Sequence, residues 1–330
     1  MMKICNCRYL AVFCLIVATT IGCGQSLAPE DQIEVAVNGI HGGKISEDGS
    51  AAIVGSVQHG GSFWRLTDGE RLYNWNHSKE ELSVIISADI DSSGRWGLTA
   101  EAHTLVLWDT QTGSATRFWT APGEVLDARL APGGRYALLG QADHSAVIFN
   151  TIRGGVVRNF THQGRVRSVD LSGDGRLALT GSEDQTAAVW RIDNGEKLFT
   201  MEHQEDVQTV ALSYDGAYAF TAAKYDRAEI WDIGQRRSLR TIPLSKERIK
   251  RGLEVTAARF SRDSRHLLLG YTNRTVELWE VKSGKRLKQW KLAKRYQWQP
   301  TGVSVIDLGF STQAKRYIAL GSSGFIYELK

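Results

Sequence analysis

The sequence predicts an all-β fold: a seven-bladed β-propeller with four antiparallel strands per blade. Three observations carry this. A strand-like segment leading into a polar turn, glycine-bearing in most copies, recurs seven times. A later aromatic residue marks each copy, at intervals of 44, 41, 41, 41, 48 and 48 residues. Gly is abundant (33 of 330 residues) and Pro scarce (5), which suits many tight turns. A hydrophobic content of 42% excludes a disordered chain, and a net charge of +4 is too small to argue for a nucleic-acid binder.

The first segment reads as an address. Lys3 and Arg8 precede an apolar run from Tyr9 to Ile21. That run is shorter than the roughly 20 helical residues needed to cross a bilayer core of about 30 Å, and it fits the apolar region of a secretory signal. It ends at Thr20-Ile21-Gly22-Cys23, which resembles the lipobox of bacterial lipoproteins, with Thr20 where Leu is commoner. The resemblance implies cleavage before Cys23, acylation of Cys23 and, with Gly24 following, sorting to a Gram-negative outer membrane facing the periplasm. Cys5, Cys7 and Cys14 lie within the signal, so the mature chain would keep Cys23 alone and no disulfide. The expected domains are a signal peptide over 1–22, a lipidated tether over 23–30 and a propeller over 31–330.

The repeat then takes over. First strands of the form V-x-x-[VA]-x-[LFI] begin at Ile40, Ile85, Val125, Val166, Val207, Val255 and Val305. Their turns include Ser46-Glu47-Asp48-Gly49, Ser172-Gly173-Asp174-Gly175 and Ser213-Tyr214-Asp215-Gly216. Third strands end in Trp64, Trp108, Phe149, Trp190, Trp231, Trp279 and Tyr327. Eleven residues beyond the first six stand Trp75, Trp119, Phe160, Met201, Ile242 and Trp290, marking fourth strands. The seventh unit stops at Lys330 after its third strand, and Asp31–Val37 alternates like a strand. Asp31–Val37 is therefore expected to supply the missing outer strand of blade seven and close the ring.

At these columns the chain resembles the WD40 family. Trp108-Asp109 and Trp231-Asp232 carry the eponymous dipeptide, while Trp64-Arg65, Trp190-Arg191 and Trp279-Glu280 are degenerate. The fourth unit matches best: His162, Thr180, Asp184 and Trp190 occupy the positions of the family's structural hydrogen-bonding tetrad. Ala102, Asn273 and Gly321 stand in the Asp184 column of units two, six and seven, where the tetrad is expected to be incomplete.

The same columns absorb most candidate catalytic residues. His77, His162 and His203 lie two residues past the fourth-strand column, and His59, His103 and His144 five before the third-strand aromatic. Equivalent positions on neighbouring blades diverge radially, which does not suit ligands converging on one metal ion. No phosphate-binding glycine loop and no Gly-x-Ser-x-Gly elbow occurs. The expectation is a non-enzyme with no catalytic residue, metal or cofactor.

Departures from the repeat point elsewhere. The connections into units six and seven are longer than the others, reading Leu244–Gly252 and Lys291–Pro300. In WD40 proteins such connections open on the top face, where partners commonly bind. Residues 246–330 carry 18 Lys and Arg against 7 Asp and Glu, whereas 23–245 carry 20 against 29. The small net charge thus hides a dipolar ring that would steer an oppositely charged partner. Arg248, Lys250, Arg251, Lys294, Arg295, Tyr296 and Trp298 are the expected partner-binding residues, a Trp among cations being the composition of an interface anchor. The expected function is a lipid-anchored envelope scaffold for an envelope protein or acidic surface, without nucleic acid. A small-molecule-binding or hydrolytic propeller using its central channel is the alternative.

Overall fold

In the computed structural model, described over residues 26–78, 82–244, 252–296 and 302–330, seven four-stranded antiparallel sheets form a ring. No helix occurs among the described residues. The inner strands are Ile40–Ile45, Ser87–Ile90, Val125–Leu130, Val166–Leu171, Val207–Leu212, Val255–Phe260 and Val305–Phe310. In blade two the ladder starts at Ser87, two residues after the expected Ile85. The core lies between blades. Each cluster joins residues of consecutive blades, as where Phe160, Val169 and Trp190 pack beside Leu138 and Ile148.

The aromatic columns are the packing elements of this core. Trp75 and Trp290 are fully buried, and Trp75 stacks on Trp108 of the next blade with ring centroids 5.1 Å apart. In blades one to six the outer strand carries a bulge opposite the third-strand aromatic, as between Val189 and Trp190. The extra residue sharpens the twist from channel to rim.

Blade seven closes as the sequence predicts, over a shorter stretch. Asp31–Glu34 pairs antiparallel with Phe325–Leu329, Asp31 opposite Glu328 and Glu34 opposite Phe325. Val35 and Ala36 leave the ladder and bond through their N–H groups to the Gly324 carbonyl. Gly324 has φ +93°, and a Cβ there would fall 1.9 Å from the Ala36 carbonyl oxygen, so only glycine fits this seam.

Adjacent inner strands are joined by side chains. Asp307 accepts from the Ile45 N–H (2.8 Å), Asp89 from Leu130 (2.7 Å), Asp127 from Val169 (3.0 Å) and Asp170 from Leu212 (2.7 Å). Thr209 and Thr256 donate to the Val255 and Val305 carbonyls of the following blades, at 2.8 and 2.7 Å. Between blades one and two the backbones meet directly, and a Cβ on Gly42 would lie 2.6 Å from the Ile86 oxygen. Deleting the chain through Glu34 would leave Phe325–Leu329 as an open edge. The expected result is an unfolding midpoint lower by about 5 °C or more, together with soluble aggregates, read by calorimetry and light scattering.

Candidate partner-binding face and the charged channel

Blade four shows why the repeat columns are structural. The Trp190 indole N–H donates to the Thr180 hydroxyl (2.8 Å), and Thr180 in turn meets His162 Nε2 at 2.7 Å. His162 Nδ1 donates to the Asp184 carboxylate at 2.9 Å, which also accepts from the Gln163 and Thr186 N–H groups. The chain runs from a core indole to a turn carboxylate and locks three strands and the incoming connection.

Blades two and five repeat the chain with altered carboxylates. In blade two His77 contacts Thr99 (2.8 Å) and Thr104 (2.6 Å), and Trp108 donates to Thr99. The expected gap at Ala102 is filled from the neighbouring residue, since Glu101 accepts from Thr104 and lies 3.4 Å from His77. In blade five His203 meets Thr221, which receives the Trp231 N–H, and Asp226 lies 3.6 Å from His203. Blade six substitutes another device: fully buried Glu277 accepts from Trp279 and Tyr271 and pairs with Arg286 at 2.7 Å. A carboxylate displaced by one residue is invisible in the sequence columns; it stands near the ring nitrogen, and in blade five it leaves the buried His203 Nδ1 without a hydrogen bond.

Burial lowers the pKa of His77, His162 and His203, outweighing the carboxylates beside them. At Asp184 burial works upward, but hydrogen bonds from Thr186 and the Gln163 N–H hold its pKa below the ordinary value. Unfolded histidines take up protons near pH 6.5 while the folded rings stay neutral. Below that pH the unfolded chain binds more protons, so stability falls as pH drops, by as much as about 1.4 kcal/mol per pH unit for each proton. The unfolding midpoint should therefore decline between pH 7.5 and 5.5. Thr180→Val should cost about 1–3 kcal/mol at pH 7.5 by leaving the His162 and Trp190 nitrogens unpaired, which chemical denaturation would measure.

The central channel is occupied by charge. Lys44 pairs with Asp307 at 3.3 Å, and Arg129 pairs with Asp127 at 2.8 Å and lies 3.6 Å from Asp170. Arg259 reaches across to the Ile45 carbonyl at 3.0 Å and approaches Asp307 at 4.0 Å. Desolvation pushes the Lys44 pKa down and that of Asp89 up, whereas the carboxylates around Arg129 hold it charged. These side chains separate an upper vestibule of about 310 Å³ from a lower one of about 170 Å³. At the lower mouth Arg262 lies over the Tyr214 ring and 3.5 Å from Glu47, spanning blades five, six and one. Among the described residues no group of three His, Cys, Asp or Glu is placed to hold a metal ion.

The top face, where second-to-third-strand turns and inter-blade connections emerge, is different. Exposed Val37, Val57, Leu82, Val84, Tyr225 and Tyr296 all lie on its loops. Sequence reasoning missed the first five. Their only signal was position, each in a loop whose register predicts the top end of a blade. Exposed Glu124 and Glu205 lie on the connections into blades three and five, and Lys294 on that into blade seven.

Of the seven expected partner-binding residues, Lys294 and Tyr296 are exposed on this face, Tyr296 at 46%. Arg248, Lys250, Arg251 and Trp298 lie outside the described residues, as does Cys23. Arg295 corrects the expectation. Its guanidinium donates to Glu34 (2.6 Å), the Ala36 carbonyl (2.5 Å) and the Ser323 carbonyl (3.0 Å), and lies over the Phe325 ring. With 16% of the side chain exposed, it clamps the closing strand, because the connection folds back over blade seven, where the Ala293 carbonyl accepts from Tyr327. Arg295→Ala should lower thermal stability by about 1–3 kcal/mol while Lys294→Ala leaves it within about 0.5 kcal/mol, compared by chemical denaturation.

A seven-bladed ring with Trp–Thr–His–carboxylate chains defines a repeat propeller. Residues 154–191, from the outer strand of blade three to the Trp190 strand, match the WD40 family profile, described as WD domain, G-beta repeat. A search of curated proteins returns no match. The chain is a seven-bladed β-propeller that carries a WD40 repeat, ending on the Trp190 strand of its fourth blade.

Proposed function

We propose that this propeller is a non-catalytic protein-interaction scaffold of the cell envelope, held by lipid on Cys23 at a periplasm-facing outer membrane. The observation that carries it is the contrast between channel and top face. The channel cations are paired to carboxylates, and three of the buried histidines are committed to structural chains. Exposed Val37, Val57, Leu82, Val84, Tyr225 and Tyr296 stand instead on top-face loops, as does Lys294. Protein interfaces combine such anchors with a charged rim that steers encounter. The partner that fits carries an acidic segment, to meet Lys294 and the sequence's Arg248, Lys250 and Arg251.

Crosslinking pull-down from membranes tests this. Reversing Arg248, Lys250 and Arg251 to Glu together with Tyr296→Ala should reduce recovery of the partner about tenfold or more, with the melting curve retained. Unchanged recovery would sink the proposal.

A further inference from the structure

Two outer strands set the rim of blades five and six apart. The segments Ile233–Ile242 and Val281–Lys291, each a turn and the outer strand after it, hold eight Lys and Arg and no Asp or Glu. The equivalent segment of blade four, Ile192–Glu202, has three carboxylates and one lysine. Arg286 is consumed by Glu277, and Lys291 reaches Thr275. Arg236, Arg237, Arg240, Lys282, Lys285 and Lys288 make no ion pair with a described carboxylate, although Asp232 and Glu280 stand across the ladder from Arg237 and Lys285. All but half-buried Lys288 are exposed. Arg240 lies against the Gly284 turn, so the two rims form one continuous basic strip.

The chain's N-terminal side is fastened to the same strip. Leu27 forms a parallel bridge with Trp290, its N–H donating to the Gln289 carbonyl and its carbonyl accepting from the Lys291 N–H, both at 2.9 Å. Gln289 also donates to Ser26 at 3.1 Å. Leu27 and Leu287 are exposed here at 44% and 42%, two apolar side chains among cations. Cys23 precedes Ser26 by three residues, a reach of roughly 11 Å at full extension.

We infer that the rim of blades five and six is the membrane-facing edge of the propeller, resting on the anionic phospholipid headgroups of the bilayer that holds the anchor. This rests on the lipid-anchor reading above. Cations near an anionic surface, interleaved with apolar side chains, are what such headgroups attract, each basic residue strengthening association about fivefold. The top face would then stand at the side, open to a partner in the aqueous phase.

The test uses the full-length protein reconstituted in vesicles of phosphatidylcholine, or of phosphatidylcholine with three-tenths phosphatidylglycerol. Lysine acetylation is mapped by mass spectrometry. Anionic vesicles should slow acetylation of Lys282, Lys285 and Lys288 about fivefold or more, leave exposed Lys197 of blade four unchanged, and lose the effect in high salt. Arg236→Gln with Arg237→Gln and Arg240→Gln should return the three lysines toward their rate on neutral vesicles. Equal rates on both vesicles, or slowing that includes Lys197, would overturn the inference. The mass of the Cys23 peptide reports acylation separately. An acylated chain without the footprint removes the rim assignment alone, and a footprint without acylation removes only the lipid anchor.

Discussion

The ring depends on hydrogen bonds across the seams between inner strands. A propeller's sheets do not share a ladder, so without side-chain bridges each inner strand would face its neighbour across unpaired backbone in a narrow channel. Asp89, Asp127, Asp170 and Asp307 each accept a backbone N–H from the next blade. Such charge-assisted bonds are stronger than neutral ones. The arrangement also places four carboxylates in the channel, and Lys44, Arg129 and Arg259 offset their repulsion there. The ion network is thus a consequence of how the ring is stitched, and it divides the channel into an upper and a lower vestibule.

A second layer of polar contacts organises each blade from the outside in. The Trp–Thr–His chains of blades two, four and five give each buried indole N–H a threonine hydroxyl that also meets a histidine ring, with His203 Nδ1 of blade five left unpartnered. Blade six reaches the same end with Glu277, Tyr271 and Arg286. These solutions share one requirement: a buried indole N–H must find an acceptor. With polar chemistry committed inside, the exposed charged and apolar side chains lie on loops and rims.

The periodic features were legible from residues alone because they repeat. Seven copies averaged out local ambiguity, so the strand columns, the fourth-blade tetrad and the closing strand all stand where the spacing predicts, within two or three residues at their ends. The carboxylates of blades two and five were not legible. Glu101 and Asp226 sit one position off the column, and only a folded turn decides which neighbour reaches the histidine. The exposed apolar loop residues were likewise unmarked, since a valine in a loop looks the same whether it is covered or bare.

Arg295 and Lys294 show where the division falls. Composition and spacing determined the blade count, the faces of the strands and the uneven charge of the two halves, because period and alternation are properties of consecutive residues. Neighbouring cations in one connection were indistinguishable on those terms. Only the tertiary structure decided that Arg295 is turned onto Glu34 and Ala36, more than 250 residues earlier, while Lys294 faces solvent. Closing a ring brings the two ends of a chain together, and contacts of that kind have no local signature.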